Sequence, residues 1–332
     1  MDIKSTLKNR IHIYKEYREK NFSLGDSLVF MIVHTIYDIY KTFKMKYYKK
    51  KNIIEIKLFN NKNFFVSGTD SGLSFDLIIN NGIREPIATK KIIEIIENNS
   101  KNFKCFLDIG ANIGYYTIVL SEYFEKIICV EPNKKCIELL KKNITANNLH
   151  NKTHILNLAV SYKNGKIWVI EKMDMNLTEV CENKGDYLID TIPLNDLFDK
   201  YKPDLVKLDI EGFEYDLFFN IKTFKHLPRV LFIEIHFDKK SYDENIKLLK
   251  IFENLGYKIR YAIWEEKGIT YLKNKNLLFK IASQIYIKKL KIKNPILCEN
   301  CSINQFYKGN KEILKGRLGA IEFILELEDN KK

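Results

Sequence analysis

The sequence predicts an α/β fold in which a mostly parallel sheet is covered by helices on both faces. Short apolar runs alternate with amphipathic stretches of helical length from residue 106 onward. A glycine-containing turn follows the first apolar run, and acidic residues follow later runs where strands are expected to end. Repeated strand–helix units of this kind form parallel sheets, because each helix returns the chain to the same edge.

The elements follow one another in a regular order. Buried strands are predicted at residues 106–109, 127–130, 154–158, 205–208 and 230–235, with a late strand from Gly256. Helices are predicted at residues 115–124 and 134–147 and after Tyr215 and Asp243. We therefore divide the chain into an N-terminal helical and strand extension (1–80), an α/β domain (81–275) and a C-terminal extension (276–332), which reads as a helix, a loop and a final helix or strand.

The formal net charge of +13 raises the question of a polyanionic partner. Only six of the 55 basic residues are Arg, the residue that best reads phosphates and bases in a bidentate manner. The composition therefore favours a solvated Lys-rich surface. Nucleic acid remains an alternative partner.

The N-terminal extension contains an apolar run at residues 28–33 and a strongly basic segment at residues 41–51. The run is too short to span a bilayer, which needs about 20 residues. A helix packed on the main domain is favoured, and a helix lying on a membrane surface is the alternative. Because residues 1–20 are charged throughout, we expect a cytoplasmic protein, with peripheral membrane contact through the basic segment as the variant.

The six cysteines are not expected to form disulfides, because the sequence shows no sign of export. Cys298 and Cys301 form a lone CxxC without the second pair that a zinc site needs. We interpret this pair as structural or incidental.

The most informative segment is residues 106–114, FLDIGANIG, where a buried strand turns into a helix. A dinucleotide-binding turn has three glycines in the pattern GxGxxG, but here Asn112 and Tyr115 stand at the second and third positions. We therefore expect Gly110 to let the backbone approach a ligand without phosphates, such as the methionine end of S-adenosylmethionine. Asp108, at the strand end, is expected to take up the ligand's ammonium group.

An acidic residue follows the next strand at the spacing that a nucleoside ligand requires. Glu131 lies 21 residues after Gly110, in the segment VEPN (130–133), where a carboxylate reaches both ribose hydroxyls. The third strand ends in NLAVS (157–161), whose small apolar residues suit the edge of an adenine.

A second cluster of polar residues follows the two later strands. Asp209 and Glu211, and then Glu234 and His236, are each two positions apart, so that each pair shares one face. Carboxylates and an imidazole at neighbouring strand ends can act as a general base, bind a hydroxyl or hold a metal. No metal ligand is assigned from the sequence, although a metal-assisted variant stays open.

These segments resemble the FkbM family of methyltransferases. The resemblance rests on DIGANIGYYT (108–117), VEPN (130–133), NLAVS (157–161), IPLNDL (192–197), KLDIEGFE (207–214), FIEIH (232–236) and the step Arg84-Glu85-Pro86. Asn195 departs from the family's usual Asp. The resemblance implies a class I, Rossmann-like methyltransferase fold with seven strands, one of them reversed near the sheet edge, and S-adenosylmethionine as the cofactor. It implies O-methylation of a hydroxyl on a sugar, a glycolipid or a small metabolite.

The pattern and the resemblance together assign residues to two groups. Cofactor binding is assigned to Glu85, Asp108, Gly110, Ala111, Asn112, Gly114, Tyr115, Glu131, Pro132, Asn133, Ala159, Val160 and Asp209. Catalysis is assigned to Asp209, Glu211, Glu234 and His236. Our hypothesis is that His236 or Asp209 removes the hydroxyl proton, while Glu211 and Glu234 orient the hydroxyl or the imidazole.

Two other functions compete with this interpretation. An RNA methyltransferase would agree with the net charge, but the sequence has no Asn/Asp-Pro-Pro-aromatic tetrapeptide to cradle a flipped base amine. A non-catalytic cofactor-binding scaffold would bind without turnover, which the dense cluster of carboxylates and an imidazole argues against.

Overall fold

The computed structural model describes residues 50–265, apart from 71, 100–102, 173–177 and 222, residues 296–328, apart from 312 and 318, and a few positions between 25 and 48. The predicted N-terminal helix with its basic segment, and the helix predicted after residue 275, lie almost wholly outside these residues. One compact unit consists of Ile53–Trp264 and Ile296–Lys332, and it contains every element discussed below. The other unit consists of Met1–Asn52 and Glu265–Pro295.

The strands of the described part of the chain, numbered along the sequence, are β1 (Ile53–Lys57), β2 (Asn63–Ser67), β3 (Cys105–Ile109), β4 (Lys126–Val130), β5 (Thr153–Leu156), β6 (Ala159–Ser161), β7 (Gly165–Ile170), β8 (Glu179–Cys181), β9 (Tyr187–Pro193), β10 (Leu205–Leu208), β11 (Val230–His236), β12 (Tyr257–Ile263), β13 (Ile296–Cys301) and β14 (Ala320–Leu327). The α-helices are α1 (Leu73–Ile79), α2 (Pro86–Asn98), α3 (Tyr115–Val119), α4 (Lys134–Ala146), α5 (Leu194–Tyr201), α6 (Glu214–Asn220), α7 (Tyr242–Asn254) and α8 (Ile303–Gly309).

The large sheet has the spatial order β13-β12-β14-β11-β10-β3-β4-β5. The five strands from β11 to β5 pair in parallel. Strand β14 runs antiparallel between β11 and β12, and β13 pairs antiparallel with β12 at the edge. The predicted mostly parallel, Rossmann-like class is confirmed. The sheet has eight strands rather than seven, because β13 adds a second reversed strand at the outer edge of β12.

The central strands are buried along their whole length because both of their faces are covered. Every residue of β3, β10 and β11 is buried. This continuous burial is typical of parallel strands between two helical layers. The carboxyl ends of β3, β4, β10 and β11 therefore lie at one edge of the sheet, the edge at which open α/β sheets bind ligands.

The end of the chain completes the sheet. Strand β14 pairs with β11 from Val230↔Glu326 to His236↔Ala320, so residues 296–332 share a unit with residues 53–264. We divided the sequence at residue 276 because sequence periodicity does not show which strands pair when they lie far apart along the chain.

The expectation that no disulfide forms is wrong for the CxxC pair, because Cys298 and Cys301 are joined in the structure. The expectation rested on cellular compartment and ignored local geometry. Asn300, between the two cysteines, has a left-handed backbone with φ 49. This turn brings the two Cα atoms to 6.4 Å, closer than three residues of extended strand would allow.

A smaller sheet, with the order β6-β9-β7-β8, follows directly after β5. Its apolar side is formed by Ala159, Ile167, Val169 and Ile189, and Phe213 packs against this cluster from the loop that follows β10. The small sheet therefore stands beside the carboxyl edge of the large one.

Among the residues the structure describes, no helix is long and apolar enough to cross a membrane.

Candidate active site at the carboxyl edge of the sheet

A crevice opens to solvent where β3, β4 and β10 end. Eleven of the predicted site residues line it: Asp108, Gly110, Ala111, Asn112, Tyr115, Glu131, Pro132, Ala159, Val160, Asp209 and Glu211. Glu85, Gly114, Asn133, Glu234 and His236 are not among the residues that line it. The fold thus brings most of the predicted residues to one crevice, and the remaining five lie outside its lining.

Neighbouring atoms of the protein leave no room for a side chain at either glycine of the turn. Gly110 has φ +73, and a Cβ there would overlap the backbone oxygen of Asp209. Gly114 has φ +90, and a Cβ there would press on the side chain of Leu140 in α4. Gly110 is therefore required for the close approach of β3 to the end of β10, and Gly114 for helix packing. Gly110 also lines the crevice, and its approach to a ligand stays a prediction.

The Glu131 carboxylate is held in place by two backbone donors. Its Oε2 accepts a hydrogen bond from Asn112 N at 2.8 Å, and its Oε1 accepts one from Asn133 N at 2.8 Å. Burial raises the pKa of Glu131 to about 7, although these two hydrogen bonds act to lower it. The side chain is thus pre-positioned at the crevice wall, with lone pairs left on both oxygens.

Asn133 contributes to the structure near the crevice without lining it. Its side chain caps α4 by accepting from Lys135 N at 2.9 Å, and its Nδ2 donates to Thr178 Oγ1 at 2.8 Å. Thr178 itself lines the crevice. Asn133 therefore fixes α4 and positions a crevice residue that sequence analysis missed.

Asp108 lies deeper in the crevice. Its Oδ2 accepts a hydrogen bond from Thr117 Oγ1 in α3 at 2.6 Å. Burial raises the pKa of Asp108 to about 6, while the Thr117 hydroxyl acts to lower it. At neutral pH the carboxylate is ionised and able to accept a hydrogen bond from a cation.

The Arg84–Glu85 step is anchored by two tyrosines. Glu85, with φ 44, accepts hydrogen bonds from Arg84 Nε at 2.6 Å and from the Tyr116 hydroxyl at 2.7 Å. The Tyr115 hydroxyl accepts from Arg84 N at 3.0 Å. Only 1% of Glu85 is exposed, so Glu85 anchors the step while its neighbour Arg84 lines the crevice.

Beneath the crevice, Glu85, Glu234 and Glu322 have carboxylate oxygens within 4.8 Å of one another, and all three residues are buried. Two buried cations stand next to this carboxylate cluster. Lys207 Nζ lies 3.5 Å from Asp209 Oδ2, and Arg84 Nη2 lies 3.9 Å from the same oxygen. Lys207 was missed as a site residue, although a lysine inside an apolar strand is itself an unusual signal.

His236 is clamped between two carboxylates. Its Nδ1 lies 2.8 Å from Glu214 Oε1, and its Nε2 lies 3.4 Å from Glu211 Oε2. Burial acts to lower the pKa of His236, but the contacts with Glu211 and Glu214 outweigh it and raise the pKa to about 11. The imidazole therefore carries a proton at neutral pH and is poorly suited to accept another.

Asp209, Glu211 and His236 also have potential ligand atoms within 4.8 Å of one another. A metal ligand must be a neutral imidazole, but both nitrogens of His236 already face carboxylates. Asp209 in turn already faces Lys207 and Arg84. A divalent cation at this cluster would have to displace the proton of His236, and we expect methyl transfer to survive EDTA.

Comparison with known proteins finds matches among methyltransferases. Residues 108–259 match the family model described as the methyltransferase FkbM domain, which confirms the resemblance drawn from the motifs. A protein-L-isoaspartate O-methyltransferase from Pseudoalteromonas atlantica is 31% identical over 86 residues, 26% of this chain. The match spans 37% of that protein's length.

Two solved structures are among the matches. The methyltransferase FkbM from Methylobacillus flagellatus KT is 22% identical, with 40% of this chain and 33% of that chain covered and a TM-score of 0.29. A tRNA methyltransferase from M. jannaschii is 15% identical, with 85% and 55% covered and a TM-score of 0.39.

Proposed function

We propose that this chain, whose residues 108–259 match the model of the methyltransferase FkbM domain, transfers a methyl group from S-adenosylmethionine to a hydroxyl of a sugar, glycolipid or small metabolite. The observation that carries the proposal is the crevice itself. Glu131, whose carboxylate is held by two backbone donors, and two further acidic residues, Asp209 and Glu211, line one cavity where β4 and β10 end.

The residues present fit this cofactor. Glu131 is placed to accept hydrogen bonds from ribose hydroxyls, and Leu158, Ala159 and Val160 offer an apolar wall for an adenine. The crevice is lined by four carboxylates and two cations, which suits a ligand with a net positive charge. When bound, S-adenosylmethionine supplies a methyl group on a positively charged sulfur, open to attack by an oxygen nucleophile.

A hydroxyl is a weak nucleophile until a base accepts its proton. We assign this role to the carboxylate of Glu211, because Glu211 lines the crevice and holds a left-handed backbone with φ 55. Such strain in a non-glycine residue is often found at functional sites. His236, already protonated, acts as a positioning residue for Glu211, and Asp209 is placed to accept a hydrogen bond from the acceptor.

RNA is the second candidate acceptor, favoured by the net charge of +13. The crevice has the opposite character, since four carboxylates line it. Phosphates entering such a crevice would be repelled, so an uncharged hydroxyl compound is the better fit.

Glu131→Gln is expected to weaken S-adenosylhomocysteine binding by about 10- to 100-fold, because charge-assisted hydrogen bonds to the ribose are lost. Since burial raises the pKa of Glu131 to about 7, affinity in the wild type should fall as pH drops below about 7. Calorimetric titration from pH 5.5 to 8.5 measures both effects. The variant should lose the pH dependence centred near 7, and a variant that keeps it would exclude Glu131 from binding.

The function is tested by incubating the purified protein with methyl-labelled S-adenosylmethionine and cell extract. Label in glycan, lipid or small-molecule fractions would support the proposal and identify the acceptor class. Label that is lost on RNase treatment would make RNA the acceptor. Cofactor binding with no label in any fraction would favour a non-catalytic scaffold.

A further inference from the structure

Lys207 is a buried charged residue that the proposed reaction has not used. It lies in β10, opposite Asp108 of β3 and Phe232 of β11, and only 2% of it is exposed. Its Nζ lies 4.8 Å from the ring centroid of Phe232 and 5.6 Å from that of Tyr116. Within the described part of the chain, Nζ makes no hydrogen bond, and its ion pair with Asp209 is long at 3.5 Å.

An ammonium group in this position is costly unless an acceptor reaches it. A buried donor without a hydrogen bond carries its full desolvation penalty. Lys207 nevertheless lines the crevice, so a ligand that fills the crevice lies next to this side chain. Burial acts to lower the pKa of Lys207, but Asp209, Glu85 and Glu234 outweigh it and raise the pKa, so the group stays charged.

The charges along this part of the crevice alternate in sign. Asp108 and Lys207 occupy paired positions on adjacent parallel strands, which run about 4.8 Å apart. Asp209 follows Lys207 on the same face, and Arg84 lies beside Asp209. A ligand group with a positive and a negative charge a few ångströms apart complements such a row, whereas a simple anion would meet the neighbouring carboxylates.

We propose that Lys207 Nζ binds the α-carboxylate of the cofactor's methionine end, while Asp108 accepts the α-ammonium beside it. This inference rests on the proposed function, because it names how the same crevice recognises its cofactor. It assigns to Lys207 the role of selecting ligands that carry an intact amino-acid end.

The test uses three adenosine ligands that share the nucleoside and differ at the other end. S-Adenosylhomocysteine has both charges, its decarboxylated analogue has only the ammonium, and 5′-methylthioadenosine has neither. We expect the wild type to bind S-adenosylhomocysteine at least about tenfold more tightly than the decarboxylated analogue. Lys207→Met should weaken S-adenosylhomocysteine by about 10- to 100-fold and the other two ligands by less than about threefold.

Glu322→Gln is the matched control, because Glu322 is buried in the carboxylate cluster with Glu85 and Glu234 but does not line the crevice. It should leave the relative affinities for the three ligands unchanged. In each variant, 5′-methylthioadenosine binding reports whether the nucleoside part of the crevice is intact.

Each outcome separates the two proposals. A wild type that binds S-adenosylhomocysteine and its decarboxylated analogue equally overturns the carboxylate subsite, even if Lys207→Met does not fold. The carboxylate subsite is also overturned if Lys207→Met weakens the binding of all three ligands to the same extent. A wild type that binds none of the three contradicts the proposed function itself.

Discussion

Replacing Glu211 with Gln is expected to lower kcat for methyl transfer by about 10²- to 10⁴-fold, the usual contribution of a general base. The amide keeps the size of the side chain but cannot accept the hydroxyl proton. Cofactor affinity should change by less than about threefold, because no interaction that holds the nucleoside is removed. Single-turnover rates with labelled cofactor, combined with calorimetric binding, separate the two quantities.

Glu179→Gln is the matched control for this experiment. Lys239 Nζ lies 3.8 Å from Glu211 Oε2 and 3.7 Å from Glu179 Oε1, so both substitutions remove a carboxylate partner of the same lysine. Glu179 does not line the crevice, and its variant should turn over at nearly the wild-type rate. If Glu211→Gln turns over as fast as Glu179→Gln, Glu211 is not the base.

His236→Ala is expected to destabilise the fold by about 3–5 kcal/mol, the cost of removing one member of a buried ion pair. Glu214, fully buried, would lose its contact with the imidazole and keep only the hydrogen bond from the backbone N of residue 236. Chemical denaturation near pH 6 measures the loss. A double variant, His236→Ala with Glu214→Gln, should recover part of the stability because the carboxylate that faced the imidazole is removed as well.

The same substitution has a predictable pH dependence. Because the pKa of His236 is raised from about 6.5 to about 11 in the fold, its contribution to stability is complete below pH 6.5. The contribution is progressively lost as pH rises towards 11. The difference in unfolding free energy between wild type and His236→Ala should therefore shrink over this interval, and a constant difference would contradict a protonated His236.

His236→Ala should also lower kcat by at least about tenfold, because Glu211 loses the partner that holds it. A positioning role predicts that the pH–rate profile keeps its shape while its height falls. A profile that loses an ionisation near neutral pH would instead make His236 the base.

The sequence predicted the strand ends and the crevice well, because both depend on local signals. Glu131 and Asp209 are read from short motifs, and parallel strands bring such motifs to one edge. Glu85 and Glu234 also come from these motifs, but their side chains lie under the crevice. Which face of a fully buried strand points towards a ligand depends on the layers above it, and the pattern of a parallel strand does not reveal this.

The charge of His236 was also beyond sequence reasoning. It depends on Glu214, which comes from the helix after β10 and meets the imidazole only in the folded chain. For the same reason, β13, β14 and the pairing of Cys298 with Cys301 were not predicted. They depend on long-range pairing or on one left-handed residue, Asn300.

The insertion of β14 between β11 and β12 has a consequence for synthesis on the ribosome. Strands β11 and β12 leave the ribosome long before β14, so both expose unpaired backbone edges that are prone to intermolecular pairing. The sheet closes only when residues 320–327 arrive, and Glu322 arrives with them. The buried carboxylate cluster is thus assembled last, so the nascent chain never has to enclose three acidic groups before its final strand is in place.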